Sequence, residues 1–180
     1  MLNHISYLGS RILLSLYAIE LGARPFTIGI LVALYSLMPL MLSVYAGRLS
    51  DRLGHRLPML VGSIVAVFGM LLPWAMPGQT ALYASATLIG GGFCFFNIAV
   101  QALVGLISAP DMRAYNFSML TMGYAISSLV GPLVVGYSVE YMGHPSTYLV
   151  LAAVTLAFGL TPVFWTNTVF LAVGGYFSRR

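Results

Sequence analysis

The sequence predicts an all-α membrane protein of six transmembrane helices with both termini cytoplasmic, the bundle covering residues 1–168 and an interfacial tail 169–180. Composition gives the first observation: of 180 residues, 59% are hydrophobic, only 7% are charged and none is lysine. A soluble domain has about a quarter of its residues charged, so this chain cannot wet its surface and must show an apolar exterior to lipid. The second observation is a series of apolar runs near the ~20 residues that a helix needs to cross the hydrocarbon core. The third is the placement of the arginines between those runs.

Spans are expected near 4–22, 27–47, 57–76, 80–107, 115–138 and 146–166. Gly22-Ala-Arg24-Pro25 closes the first, and Met76-Pro77-Gly78-Gln79-Thr80 separates the third from the fourth. Ala109-Pro110-Asp111 breaks the fourth, and Gly143-His144-Pro145-Ser146 breaks the fifth, with Ser146 the expected N-cap of the sixth. From Ser146 to Ser178 there are 33 residues, about 50 Å as a helix and too long for one crossing. Two readings account for the excess: a bend at Pro162 with a cytoplasmic interfacial stretch before Arg179-Arg180, or an abnormal gene end.

Arg48, Arg52, Arg56, Arg113, Arg179 and Arg180 fall in even-numbered loops or at the C-terminus, against Arg24 alone in the odd-numbered loops. This bias places both termini in the cytoplasm. The net charge of +4 forms no single basic patch, which excludes nucleic acid as a partner. Cys94 is the only cysteine, so neither a disulfide within the chain nor a cysteine metal cluster can form, and no metal or cofactor is expected. The N-terminus lacks the basic start and cleavage site of a signal peptide.

The densest charge cluster is Gly47-Arg-Leu-Ser-Asp51-Arg52-Leu-Gly54-His-Arg56. Its glycines let backbones turn or approach closely, and Asp51 suits an exposed helix N-terminus or a neighbouring arginine. The pattern G-x-x-x-D-R-x-G-x-R resembles the signature loop between helices two and three of major facilitator superfamily transporters. The resemblance implies a conformational-switch loop in which Asp51 pairs with basic residues of neighbouring helices, Arg113 being the candidate within this chain. His55 replaces the first of the two basic residues that normally close the pattern.

Span five reads Gly123-Tyr-Ala-Ile-Ser127-Ser-Leu-Val-Gly131-Pro132-Leu-Val-Val-Gly136. It is similar to the fifth-helix motif of the antiporter branches of that superfamily, with Tyr137 where a second glycine is usual. Two readings stand: a small-residue stripe for close packing, with Pro132 permitting a bend, or a marker of proton antiport. Span four reads Ala86-Thr-Leu-Ile-Gly90-Gly-Gly-Phe, without the arginine common in antiporters, and no sugar-porter pattern follows span six.

Polar residues concentrate in four of the spans. Tyr7, Arg11 and Ser15 share one face of the first at i+4 spacing, and the second carries Ser36 and Ser43. The fourth carries Cys94, Asn97 and Gln101, and the fifth Thr121, Tyr124 and Ser128. Spans one, two, four and five are therefore expected to line a wet cavity while three and six face lipid, a division the resemblance also implies. Intramembrane Arg11 has two readings: a counter-charge for an anionic solute, or a side chain snorkelling to headgroups. Glu20, near the outer end of the first span, has two readings: a carrier of a coupling proton or a solvated loop charge.

The function expected is transmembrane transport of a small solute by alternating access, as the N-terminal half of a secondary transporter coupled to protons or another ion, working in efflux or uptake. A truncated, non-transporting remnant or scaffold is the alternative. Partners are the solute, anionic if Arg11 is a counter-charge, the lipid bilayer, and either a second six-helix half or a second copy of the chain. The expected location is a bacterial-type plasma (inner) membrane. An intramembrane enzyme is excluded because His4, His55 and His144 lie near span ends and no G-x-S-G elbow occurs. No N-P-A pair or T-V-G-Y-G filter supports a channel.

Overall fold

A computed structural model describes residues 2–157, and these residues are helical throughout except for short turns. The helices are α1 (Leu2–Glu20), α2 (Pro25–Leu53), α3 (Arg56–Ala75), α4 (Gln79–Ile107) and α5 (Arg113–Met142), followed by α6 (His144–Ala157). Among the described residues, α2, α3, α4 and α5 are long and apolar enough to cross a bilayer. The bend at Pro162, the end of the sixth expected span and the tail 169–180 lie outside the described residues.

Helix α1 falls below that apolarity because its buried face is polar: Asn3, Ser6 and Ser10 point inward with Leu13 and Leu14. Such a helix is stable in a membrane only where protein, not lipid, surrounds its hydroxyls and amides. Opposite behaviour marks α3, which buries Met59, Gly62, Ser63, Ala66, Gly69 and Met70 at helical spacing. Its other face exposes Val61, Ile64, Phe68 and Trp74, a surface suited to hydrocarbon.

Helix pairs are set by glycine. The closest packing joins α3 to α4, α2 to α4, and α1 to α5. A Cβ placed on Gly62 would lie 2.5 Å from the Gly92 carbonyl oxygen, and one on Gly92 would lie 2.5 Å from that of Gly62. The two backbones therefore touch with no side chain between them. Without a hydrophobic drive between helices in lipid, such contact is what van der Waals attraction requires. On α2, Pro39 deprives the Tyr35 carbonyl of its helical N–H donor. That carbonyl abuts Gly90 of α4, where a Cβ would come within 2.9 Å.

Two expectations are corrected here. The signature cluster was expected in a loop, but Gly47, Arg48, Asp51 and Arg52 occupy the last turns of α2, which continues to Leu53. Nothing breaks the helix until Gly54, whose φ of 77° only glycine adopts without strain. Ser146 was expected to cap the sixth helix, but α6 begins at His144 and encloses it. The chain turns on Gly143 alone, φ 76°, and Thr147 Oγ1 donates back to the Gly143 carbonyl at 2.8 Å.

The Gly62–Gly92 contact makes a direct stability prediction. Gly62→Ala should destabilise the protein by about 1–3 kcal/mol, the usual cost of overpacking a tight core. Gly136→Ala, where a Cβ meets nothing within 4 Å, should be neutral or stabilising by up to about 1 kcal/mol. Thermal unfolding in detergent separates them; equal melting temperatures would refute the backbone contact.

Candidate solute-binding site

Six of the nine expected cavity residues line two grooves; Ser36, Thr121 and Tyr124 line neither. One, of about 360 Å³, runs between α1 and α5 and is lined by Arg11, Ser15, Leu8, Ile12, Ser128 and Pro132. The other, of about 250 Å³, lies among α1, α2 and α4, with Tyr7, Phe93, Cys94, Asn97, Gln101 and Pro39 in its wall. Ligand sites commonly enclose about 300–1,000 Å³, so each is a partial pocket.

Rings cluster beside the second groove, with Tyr7 and Phe93 in its wall. Tyr7 stacks on Phe93 with centroids 3.6 Å apart and planes within 8°. His4 stacks on Tyr124 at 4.3 Å and 14°, and it also tilts against Phe93 at 5.4 Å. Below them Tyr35 is fully buried and shares a 2.8 Å hydrogen bond with Ser10. Since the Ser10 hydroxyl donates to the Tyr7 carbonyl, Tyr35 is the donor in that bond. Asn97 gathers the amides: its Oδ1 accepts from Gln101 Nε2 at 2.5 Å and from the Tyr124 hydroxyl at 3.5 Å.

Arg11 has no ion pair or side-chain hydrogen bond to any described residue, and it faces its groove beside aliphatic Leu8, Ile12 and Leu16. Ser15 and Ser128 donate to backbone carbonyls of their own helices. The structure leaves Ser36 and Thr121 exposed and away from both groove linings. Of the fifth-helix run, Gly123, Ser127 and Gly131 are buried. Gly131 packs against α1 at Ile5 and Gly9, and Pro132 borders the Arg11 groove. Gly136 is exposed; Val135, four residues beyond Gly131, continues the buried stripe.

At the opposite side of the chain's charge map, Asp51, Arg52, Arg56 and Arg113 are exposed, and Asp51 forms no ion pair with Arg113. His55 sits half-buried in a groove with Leu53, Gly54, Arg56 and Leu106. Burial, reinforced by the Arg56 charge, holds its imidazole below the usual histidine pKa. The neutral form is therefore the one folded into place where the superfamily pattern carries a cation.

Sequence reasoning missed two features. His4 was set aside as a span-end residue, yet it lies one turn before Tyr7 on the same face, a spacing that could have placed it with the rings. Glu20 was read as a proton carrier or a solvated charge, but its Oε2 lies 2.6 Å from His144 Nδ1, and His144 stacks on Tyr17 at 5.8 Å. This joins the end of α1 to the start of α6. No local signal marks it, because the partners are far apart in sequence.

A bundle of apolar helices with polar side chains turned to the grooves between them is the build of an integral membrane protein. The sequence profile of the Major Facilitator Superfamily matches residues 1–173, and the chain belongs to that family of membrane transporters, not to a family of enzymes. It is 30% identical over 146 residues to the chromaffin granule amine transporter of Rattus norvegicus, covering 79% of this chain and 28% of that protein. It is 28% identical to the tetracycline resistance protein, class B, of Escherichia coli, covering 76% and 34%. With the multidrug resistance protein MdtH of Edwardsiella ictaluri identity is 25%, over 83% and 38%. The chain thus spans 28–38% of the length of these relatives.

Two measurements check the flanking contacts. Because His55 is held below its ordinary pKa, its contribution to stability should be complete above about pH 6.5 and lost as pH falls through the lowered value. Melting temperature between pH 5 and 8 should fall less steeply for His55→Gln than for the parent; identical slopes would contradict this. Glu20 is 55% exposed, so its pair with His144 should couple by only about 0.2–1 kcal/mol. A double-mutant cycle of Glu20→Gln and His144→Gln reads that coupling, and strict additivity would remove it.

Proposed function

We propose that this chain crosses the membrane six times with both termini cytoplasmic and forms the N-terminal half of a secondary transporter. It carries a small anionic solute by alternating access, completed by a second six-helix half or a second copy of itself, in a bacterial-type plasma membrane. The observation that carries this reading is Arg11: a cation without an ion pair among the described residues, in a groove between α1 and α5 of a membrane protein. Intramembrane charges usually face a substrate or ion pathway. The grooves lie between α1 and α5 and among α1, α2 and α4, so a second half packed on these helices would close them. Parallel six-helix halves with a central site are the architecture of such carriers.

Membership of a transporter family supports the transport step. The names of the relatives, which speak of amines, tetracycline and several drugs, support a small organic solute. Proton coupling is the first candidate for the driving ion, since Gly131-Pro132 follows the antiporter pattern of the fifth helix. The signature cluster at the end of α2 acts as the switch, with Gly54 as its turn and Asp51 exchanging cationic partners between conformations.

Solute flux in proteoliposomes under an imposed pH gradient tests the reading. Anionic solutes should move in the assembled carrier, and Arg11→Ala should lower their flux at least tenfold while the melting temperature stays close to the parent's. Unchanged anion flux in Arg11→Ala would refute the counter-charge role. No gradient-dependent flux of any solute would refute transport.

A further inference from the structure

The described grooves pair one cation with aromatic faces in a fixed register. Along α1, Tyr7 and Arg11 are one helical turn apart on the same face, a rise of about 5.4–6 Å. Along α5, Tyr124 and Ser128 repeat that offset: Tyr124 stacks on His4, and Ser128 lines the Arg11 groove. Arg11 thus lines one groove while Tyr7, one turn away on α1, lines the other together with Phe93. The chain's four acidic residues, Glu20, Asp51, Asp111 and Glu140, are all exposed and none lines either groove.

We propose that the solute is an aromatic carboxylate, its carboxylate held by Arg11 and its ring laid in the neighbouring groove walled by Tyr7 and Phe93. This rests on the transport reading above and makes its solute class specific. Guanidinium is the side chain best matched to a carboxylate, because its planar fork donates two parallel N–H bonds. Aliphatic Leu8, Ile12 and Leu16 beside it lower the local polarity, which strengthens the pairing. Tyr7 and Phe93 add apolar ring faces, Tyr7 with a polar edge, as aromatic solutes require. A solute with an ammonium in place of the carboxylate would meet the Arg11 charge with no acidic residue in either groove to offset it. An aliphatic carboxylate would satisfy Arg11 and leave the ring compartment poorly filled.

Binding of three matched probes decides the matter without depending on transport. Isothermal titration of the full chain in lipid nanodiscs would use 2-naphthoate, 2-naphthylmethylammonium and cyclohexanecarboxylate. We expect 2-naphthoate to bind at least tenfold more tightly than either of the others. Arg11→Gln should abolish its advantage over the ammonium probe, and Arg11→Lys should retain part of it. Tyr7→Leu should weaken 2-naphthoate about tenfold and leave cyclohexanecarboxylate unchanged, while Tyr7→Phe, which keeps the ring, should bind like the parent.

Equal or tighter binding of the ammonium probe would overturn the proposal, as would equal binding of the two carboxylates or no binding of 2-naphthoate. Flux in proteoliposomes of a solute of another class, with no 2-naphthoate binding, would overturn this solute class and leave the transport reading standing. Binding of 2-naphthoate without gradient-driven flux would support the site and count against transport.

Discussion

Backbone contact between helices, made where side chains are missing, is the constraint on which the rest of this structure depends. Lipid tails are as apolar as leucine, so burying a leucine between two membrane helices offers little over leaving it in the bilayer. Attraction must come from close approach. Gly62 and Gly92 bring α3 and α4 into contact through their carbonyl faces, Gly90 accepts the Tyr35 carbonyl of α2, and Gly131 meets α1 at Ile5 and Gly9. Helix α4 thereby becomes the post against which α2 and α3 are fixed.

The grooves follow from that arrangement. Because α4 is held on its Gly90–Gly92 side, its Cys94, Asn97 and Gln101 turn toward α1 and α2. Because α5 is held to α1 through Gly131, Tyr124 reaches both His4 and Asn97. The polar face of α1 is then enclosed by protein, which is the condition for Ser6, Ser10 and Asn3 to lie buried in a membrane helix. Tyr35 illustrates the coupling: one residue supplies a carbonyl to the helix contact, a hydroxyl to Ser10 and a ring to the Tyr7 cluster. A displacement of α2 against α4 would disturb all three together.

Proline contributes a second layer. Pro39 in α2, Pro73 in α3 and Pro132 in α5 each remove one helical hydrogen bond. Such positions are tolerated in membrane helices where neighbours relieve the freed carbonyl. In α2 the freed Tyr35 carbonyl packs against Gly90 of α4, and Cys94 Sγ donates to the Pro39 carbonyl at 3.7 Å. Helices can bend at these places without unfolding, and Pro39 and Pro132 line the grooves.

The sequence by itself determined the class: apolar composition, helix-length runs and glycine or proline breaks are local properties, and each forces its outcome regardless of partners. It also fixed Tyr7 and Arg11 on one face, because helical spacing is set within a single element. The helical character of Gly47 to Leu53 was legible too, had the absence of a breaker before Gly54 been weighed above the loop expectation. Only tertiary structure decided which faces meet. The juncture of His4 with Tyr124, Phe93 with Tyr7, and Glu20 with His144 joins residues on different helices, whose rotation and depth depend on glycine contacts elsewhere in the bundle. Composition and periodicity carry no record of that rotation, so the site's polar residues could be counted in advance, while the ring cluster they surround could not.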